Sequence, residues 1–336
     1  MRRAFGTTGL TVSPISLGSW HTWDRAVFEE AVALLRLAID RGLDTFDLAV
    51  YRSKGLNSAD PYDSPTDIIF SRMVQEAGLS RDQYRLSVKG WMPNKPGAIT
   101  LTQQVEQALR RHGTDHADLV MLGDVMVPPS SWHLVLNEVE SLLSRGLVAH
   151  WGVSNWSADE IGRLYDDAVA AGIQPPVGAQ LKYSIYRRSV AAGEPMRTLL
   201  ARTGMGIQAS DVFEGGLLFG TTTSRIIAMD VGGIQQHIVD MRESLAAVAR
   251  QLDTSVARLG IAYPLADPRT ATVLVGARTV AQLEDNLGAV ALLESVGAEQ
   301  ITQLLDPLWA DQHVDAGASW SAVPQDDPSH YFNTAR

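Results

Sequence analysis

The stretch Gly146-Leu-Val-Ala-His-Trp-Gly-Val-Ser-Asn-Trp-Ser-Ala-Asp-Glu-Ile161 decides the fold. Ala149–Val153 reads as a short apolar strand. Ser154-Asn155 is a polar turn. Ser157, with Glu160 three residues later, is the signature of a capped helix N-terminus. Working outward, the same strand–turn–helix unit recurs. Candidate strands are Ile15–Leu17, Thr45–Phe46, Arg85–Val88, Ala117–Leu122, Ala149–Val153, Val177–Leu181, Gly206–Ala209 and Ala271–Val275. Between them, apolar residues recur at helical spacing, as in Phe28, Ala31, Leu34, Leu35, Ala38 and Ile39, and again in Leu134–Leu143 and Leu245–Leu252. Gly42 and Gly146 follow two of these segments and suit a left-handed helix terminus. Strands alternating with helices imply parallel βα units, and eight of them imply a closed (β/α)8 TIM barrel. An open doubly wound sheet is the other arrangement such units form. Arg3–Val12, around Gly6 and Gly9, reads as a β-hairpin ahead of the barrel. The pattern is lost from Asp311 onward, so 311–336 is expected as an extended C-terminal tail on a single domain spanning 1–336.

Bulk properties narrow the function classes. The chain has 336 residues, of which 45% are hydrophobic and 20% charged, and a net charge of −10. Lys and Arg never run beyond pairs, so no nucleic-acid footprint is expected. There is no cysteine, which excludes disulfides, thiolate metal sites and cysteine nucleophiles. The histidines show no HxH spacing, the HxxxH pair His112 and His116 spans a helix-to-strand turn, and no metal site is expected. Without a signal-length or membrane-length apolar run, a cytoplasmic protein with no membrane partner is the expectation. Nothing in the sequence specifies an oligomeric state.

Several stretches in order resemble the aldo-keto reductase superfamily. They are FGTTGLTVSPISLGSW, RGLDTFDLAVY, RLSVKGW, DHADLVMLG, GLVAHWGVSNWSADEI, VGAQLKYSIYRR, EGGLLFG and VGARTVAQLEDNLGA, together covering roughly residues 1–305. The resemblance implies hydride transfer between NADP(H) and a small-molecule substrate. It assigns an Asp–Tyr–Lys–His set, of which Asp47, Tyr51 and Lys89 are present. The chemistry suits the residue types. A phenol titrates near 10, and a neighbouring ammonium favours the phenolate and makes tyrosine a better acid. An aspartate paired with the lysine fixes its place. Two departures stand out. Asp47 and Tyr51 are four residues apart, one fewer than the family pattern. The histidine position is Gly123, and loss of one such oxyanion donor typically costs about 3–4 kcal/mol. Asp124 and His21 are candidate polar replacements, and Trp20 and Trp91 candidate walls of the substrate pocket. His112 and His116 belong to the opposite face. An imine or enone acceptor, or cofactor binding without catalysis as in a regulatory or interaction subunit, are alternatives that Gly123 raises.

The resemblance also implies the cofactor contacts. Ser154, Asn155 and Gln180 match the residues that bond the nicotinamide carboxamide. Gly276 and Arg278 enter a helix whose N-terminal amides suit a phosphate. The Arg278 fork suits a 2′-phosphate, and Gln282 and Asn286 follow on one helix face. Asp211–Leu218 matches the loop over the pyrophosphate, with Asp211, Phe213, Gly216 and Leu217 as candidates. Ser210 stands where the family carries a tyrosine that stacks on the nicotinamide. Phe213, Tyr183 and Tyr186 are the rings available to compensate.

Overall fold

A computed structural model describes residues 2–20, 22–50, 65–91, 99–123, 132–220 and 232–317. A two-stranded antiparallel hairpin, β1 (Arg3–Ala4) and β2 (Thr11–Val12), precedes eight parallel strands. These are β3 (Ile15–Gly18), β4 (Thr45–Leu48), β5 (Arg85–Gly90), β6 (Ala117–Leu122), β7 (Val148–Ser154), β8 (Gly178–Lys182), β9 (Gly206–Ser210) and β10 (Thr270–Val275). The last pairs with the first, Val273 opposite Ile15, so the sheet closes and the open doubly wound alternative is excluded. Helices α1 (Phe28–Asp40), α2 (Thr66–Ala77), α3 (Leu101–His112), α4 (Trp132–Ser144), α5 (Ala158–Ala170), α6 (Glu194–Thr203), α7 (Gln235–Gln251), α8 (Val256–Ala266), α9 (Val280–Val296) and α10 (Ala298–Leu305) lie outside the barrel.

The deciding stretch folds as its sequence dictates. The Ser157 hydroxyl accepts from the Glu160 amide at 3.2 Å, and Glu160 accepts from the Ser157 amide at 2.8 Å, closing a capping box at the start of α5. Strand alternation then divides the side chains. Phe46, Leu48, Leu86, Val88, Val120, Leu122, Trp151 and Val153 face the helices and join the main core. The opposite faces of the same strands turn into the barrel.

That interior is layered. At the floor, Phe5 of the hairpin is fully buried among Leu10, Val12, Leu119, Met121, Val177 and Ala271. Its ring needs the glycines it meets, since a Cβ at Gly178 would lie 2.0 Å from Phe5 Cε2. Above this plug the layer is polar, and it ends at the carboxyl ends of the strands, where barrel active sites form.

The C-terminal segment is clasped to the loop after β8. Asp311 is fully buried and accepts from the Arg188 amide at 2.9 Å and from Trp309 Nε1 at 2.6 Å. The Arg188 guanidinium lies 4.5 Å from the Tyr263 ring and 5.7 Å from the Trp309 ring, and donates to the carbonyls of Ile185 and Leu305. Of the expected tail, 311–317 forms turns on this clasp, and 318–336 lies outside the described residues. Among the described residues no helix is long and apolar enough to cross a membrane.

Candidate active site

Asp47 and Lys89 project inward from β4 and β5 and meet, Lys89 Nζ lying 3.2 Å from Asp47 Oδ2. Both are buried, at 3% and 8% exposure, so neither charge tolerates loss of the other. Ser87 Oγ donates to Asp47 Oδ1 at 2.8 Å. Lys89 also donates to Gln180 Oε1, a short contact. Ser154 Oγ donates to the same oxygen at 3.2 Å. The Gln180 amide nitrogen donates to Gln208 Oε1 at 2.7 Å and to Asp47 Oδ2 at 3.3 Å. A lysine ammonium only donates and a carboxylate only accepts, so these partners fix which way the Gln180 amide faces. All four of its hydrogen-bonding positions are taken. Gln180 lies beside the Asp47–Lys89 pair, and it could bond a carboxamide only by releasing a present partner. Ser154 and Asn155 remain at the end of β7, with Asn155 in the left-handed region at φ 62°.

The histidine position is filled from another strand. Trp91, just beyond β5, lies against Gly123, just beyond β6. A Cβ at Gly123 would sit 2.5 Å from Trp91 Cε3 and 2.9 Å from Cζ3. The Trp91 backbone is held on both sides by buried Gln104 of α3, which accepts from its amide and donates to its carbonyl, each at 2.8 Å. Gly123 is held too: its amide donates to Gly90 O at 2.8 Å, and its carbonyl accepts from Trp156 Nε1 at 3.0 Å. Glycine at 123 is thus a packing requirement of the indole. Trp20, after β3, is 39% exposed. Tyr51, His21 and Asp124 lie outside the described residues. His112 closes α3 at the other end of the barrel, buried against Phe70, and burial pushes its ring down to about 4.

The candidate cofactor contacts divide. Arg278 is exposed, and its guanidinium has no hydrogen-bond or ion-pair partner among the described residues. Gly276 is exposed beside Thr22, whose Oγ1 would be 3.0 Å from a Cβ there. The amides at the start of α9 are not open, however. Arg278 N donates to Gln282 Oε1 at 2.9 Å, Val280 N to Glu30 Oε1 at 3.1 Å, and Gln282 N to Thr279 Oγ1 at 3.2 Å. Thr279 therefore caps the helix, Gln282 bonds back to the residue before the cap, and Asn286 is buried at 3% exposure one turn on. A phosphate here is left to the Arg278 side chain more than to the helix terminus.

The loop after β9 is held by two charge pairs. Lys182, 4% exposed, lies 3.1 Å from Asp211 Oδ2, so the carboxylate that the sequence placed near the phosphates arrives with a countercharge. Glu214 is paired with Arg187 at 2.8 Å and accepts from Ser184 at 2.6 Å. Burial pushes the Glu214 carboxyl up against the opposing pull of Arg187. Asp211, Glu214 and Gly216 adopt φ of 53°, 48° and 97°. Leu217 is buried and Ser210 ends β9 at 9% exposure. None of the three compensating rings turns into the barrel. Phe213 packs on Phe219 with centroids 5.2 Å apart and against Gly260 of α8. Tyr183 packs on Tyr263 at 6.0 Å. Tyr186 is fully buried beside Glu214 and Arg242, with its acidity weakened by that burial.

Sequence reasoning missed Lys182, Gln208, Ser87 and Gln104. Period two alternation carried the signal for the first two: Gly178-Ala-Gln-Leu-Lys182 and Gly206-Ile-Gln-Ala-Ser210 place polar residues on the faces that turn inward. Among the described residues no three His, Asp or Glu side chains gather as a metal site.

The family model for the aldo/keto reductase family matches residues 14–306, from the first barrel strand through α10. The chain belongs to the aldo/keto reductase family. Its closed eight-stranded barrel accords with that membership. A curated protein of Schizosaccharomyces pombe, "Putative voltage-gated potassium channel subunit beta", is 25% identical over 332 residues, covering 90% of this chain and 91% of that protein. Membership in the aldo/keto reductase family supports NAD(P)H-dependent oxidoreductase activity in general. The residues just described fit such a cofactor, with the Arg278 guanidinium, unpaired among the described residues, at the α9 end and a loop whose backbone bends closely at Gly216.

Proposed function

We propose that the protein is an NADPH-dependent oxidoreductase acting on a small-molecule carbonyl, or on a C=N or C=C acceptor, in the cytoplasm. The observation that carries this reading is the buried Asp47–Lys89 pair, tied at 3.2 Å where a barrel places its chemistry. In this reading Tyr51 donates the proton, Lys89 favours its phenolate, and Asp47 holds Lys89 in place. NADPH, when bound, supplies the hydride. Arg278 takes the 2′-phosphate and thereby selects NADPH over NADH. Ser154 and Asn155 hold the carboxamide, and Lys182 offsets Asp211 beneath the pyrophosphate. Trp20 and Trp91 wall the acceptor. With an indole in place of the histidine, a localised oxyanion lacks a second donor, which favours acceptors that develop less charge on oxygen.

The test is NADPH consumption by near-stoichiometric protein against a panel of aldehydes, ketones, imines and enones, with Tyr51→Phe alongside. At least one class turns over, and Tyr51→Phe lowers that rate by roughly 10²-fold or more. A second reading, cofactor binding without turnover, is favoured by the Trp91 indole beside Gly123. Tight NADPH binding with no consumption across the panel would decide for it.

A further inference from the structure

Gln208, on β9, lies three strands around the barrel from Asp47 and four from Lys89, and it is 1% exposed. Register sets it directly opposite Gln180 on β8. Its Oε1 is the nearer of the two acceptors that hold the Gln180 amide nitrogen, 2.7 Å against 3.3 Å to Asp47. The other end of that amide receives Lys89 and Ser154. If the Gln180 amide turned over, its NH2 would face a lysine that has no acceptor to offer, and its oxygen would face a carboxylate. Gln208 supplies the shorter of the two bonds that hold the amide nitrogen in its present direction.

We propose that Gln208 is a positioning residue, which fixes the Gln180 amide and through it the Lys89 ammonium against Asp47. The inference rests on the reading that Lys89 serves hydride transfer. Gln208 needs only its oxygen for this role, because its amide nitrogen has no hydrogen-bond partner among the described residues. Methionine keeps the unbranched length and removes that acceptor.

The experiment combines a readout independent of turnover with one that depends on it. In the protein without cofactor, NMR follows exchange of the Gln180 side-chain amide protons and the Lys89 ammonium protons with water. They are protected in the wild type. In Gln208→Met they exchange at least about tenfold faster, the loss of roughly one neutral hydrogen bond. With NADPH and a responding acceptor, Gln208→Met lowers kcat about tenfold. KM for NADPH stays within about twofold, a split that general loss of packing would not give. Unprotected Gln180 amide protons in the wild type would overturn the proposal without recourse to any variant. So would unchanged exchange in folded Gln208→Met, or unchanged kcat. Should no acceptor turn over at all, the exchange results still decide whether Gln208 orders the network, and only the reading as a reductase falls.

Discussion

Gly123→Ala is the smallest change that tests whether the Trp91 indole owns the space at position 123. The new methyl carbon would lie 2.5 Å from Trp91 Cε3 and 2.9 Å from Cζ3. Ordinary carbon contacts begin near 3.5 Å, so the ring must retreat by about 1 Å. The Trp91 backbone cannot follow, because Gln104 grips its amide and its carbonyl. Gly123 cannot retreat either without stretching its bonds to Gly90 and Trp156. The strain falls on the Trp91 side-chain torsions, and overpacking of this kind costs about 1–3 kcal/mol. For a chain of this length that lowers Tm by roughly 1.5–4 °C. The assay is a double-mutant cycle on thermal or urea unfolding, with Trp91→Ala as the second variant. With the indole gone, the penalty for Gly123→Ala vanishes, so the coupling equals the single-variant cost. Additive effects, or a Gly123→Ala protein as stable as the wild type, would refute the reasoning. The same clash means that Gly123→His alone does not restore an oxyanion donor; the histidine finds room only when Trp91 is also reduced.

Lys89→Met leaves Asp47 buried without its charge partner, and urea unfolding shows a loss of about 3–5 kcal/mol, part of which Asp47→Asn recovers in the double variant. Arg278→Leu removes a bidentate, charge-assisted contact worth about 1.5–3 kcal/mol, so KM for NADPH rises roughly 10–100-fold while KM for NADH barely moves. Burial pushes His112 from its ordinary 6.5 down to about 4. The unfolded chain takes up a proton below about pH 6.5 and the folded chain does not until about pH 4, so the contribution is complete above 6.5 and is lost as the pH falls through that window. It amounts to about 3 kcal/mol, and His112→Leu flattens the denaturant midpoint against pH across the same range.

Much of the barrel was legible because strand and helix periods were clean. Thr45–Phe46 extends by two residues to Leu48, and Gly206–Ala209 by one to Ser210. Helix α8 gave no amphipathic signal because it is buried nearly all round, with every residue from Leu259 to Leu265 inside. The site was legible where one residue type implies one chemistry, as for Asp47 and Lys89. It was not legible where function depends on partners brought from distant strands. That Gln180 is saturated follows only from contacts with β4, β5, β7 and β9. That Gly123 is glycine for the sake of Trp91 follows only from the closeness of two strand ends.

The clasp at Asp311 bears on when the loop after β8 is fastened during the protein's own synthesis. Ser189 and Asp311 are 122 residues apart, yet the loop carrying Arg187 and Arg188 gets its anchoring acceptor from the later of the two. Arg3 waits still longer, its guanidinium bonding carbonyls of Leu265 and Thr270, 262 and 267 residues downstream. Long-range closures of this kind form late in folding. The strand that delivers Gln180 and Lys182 therefore emerges from the ribosome well before the segment that locks its following loop. A nascent chain stalled short of residue 311 holds every expected hydride-transfer residue and still lacks the fastening of the loop after β8.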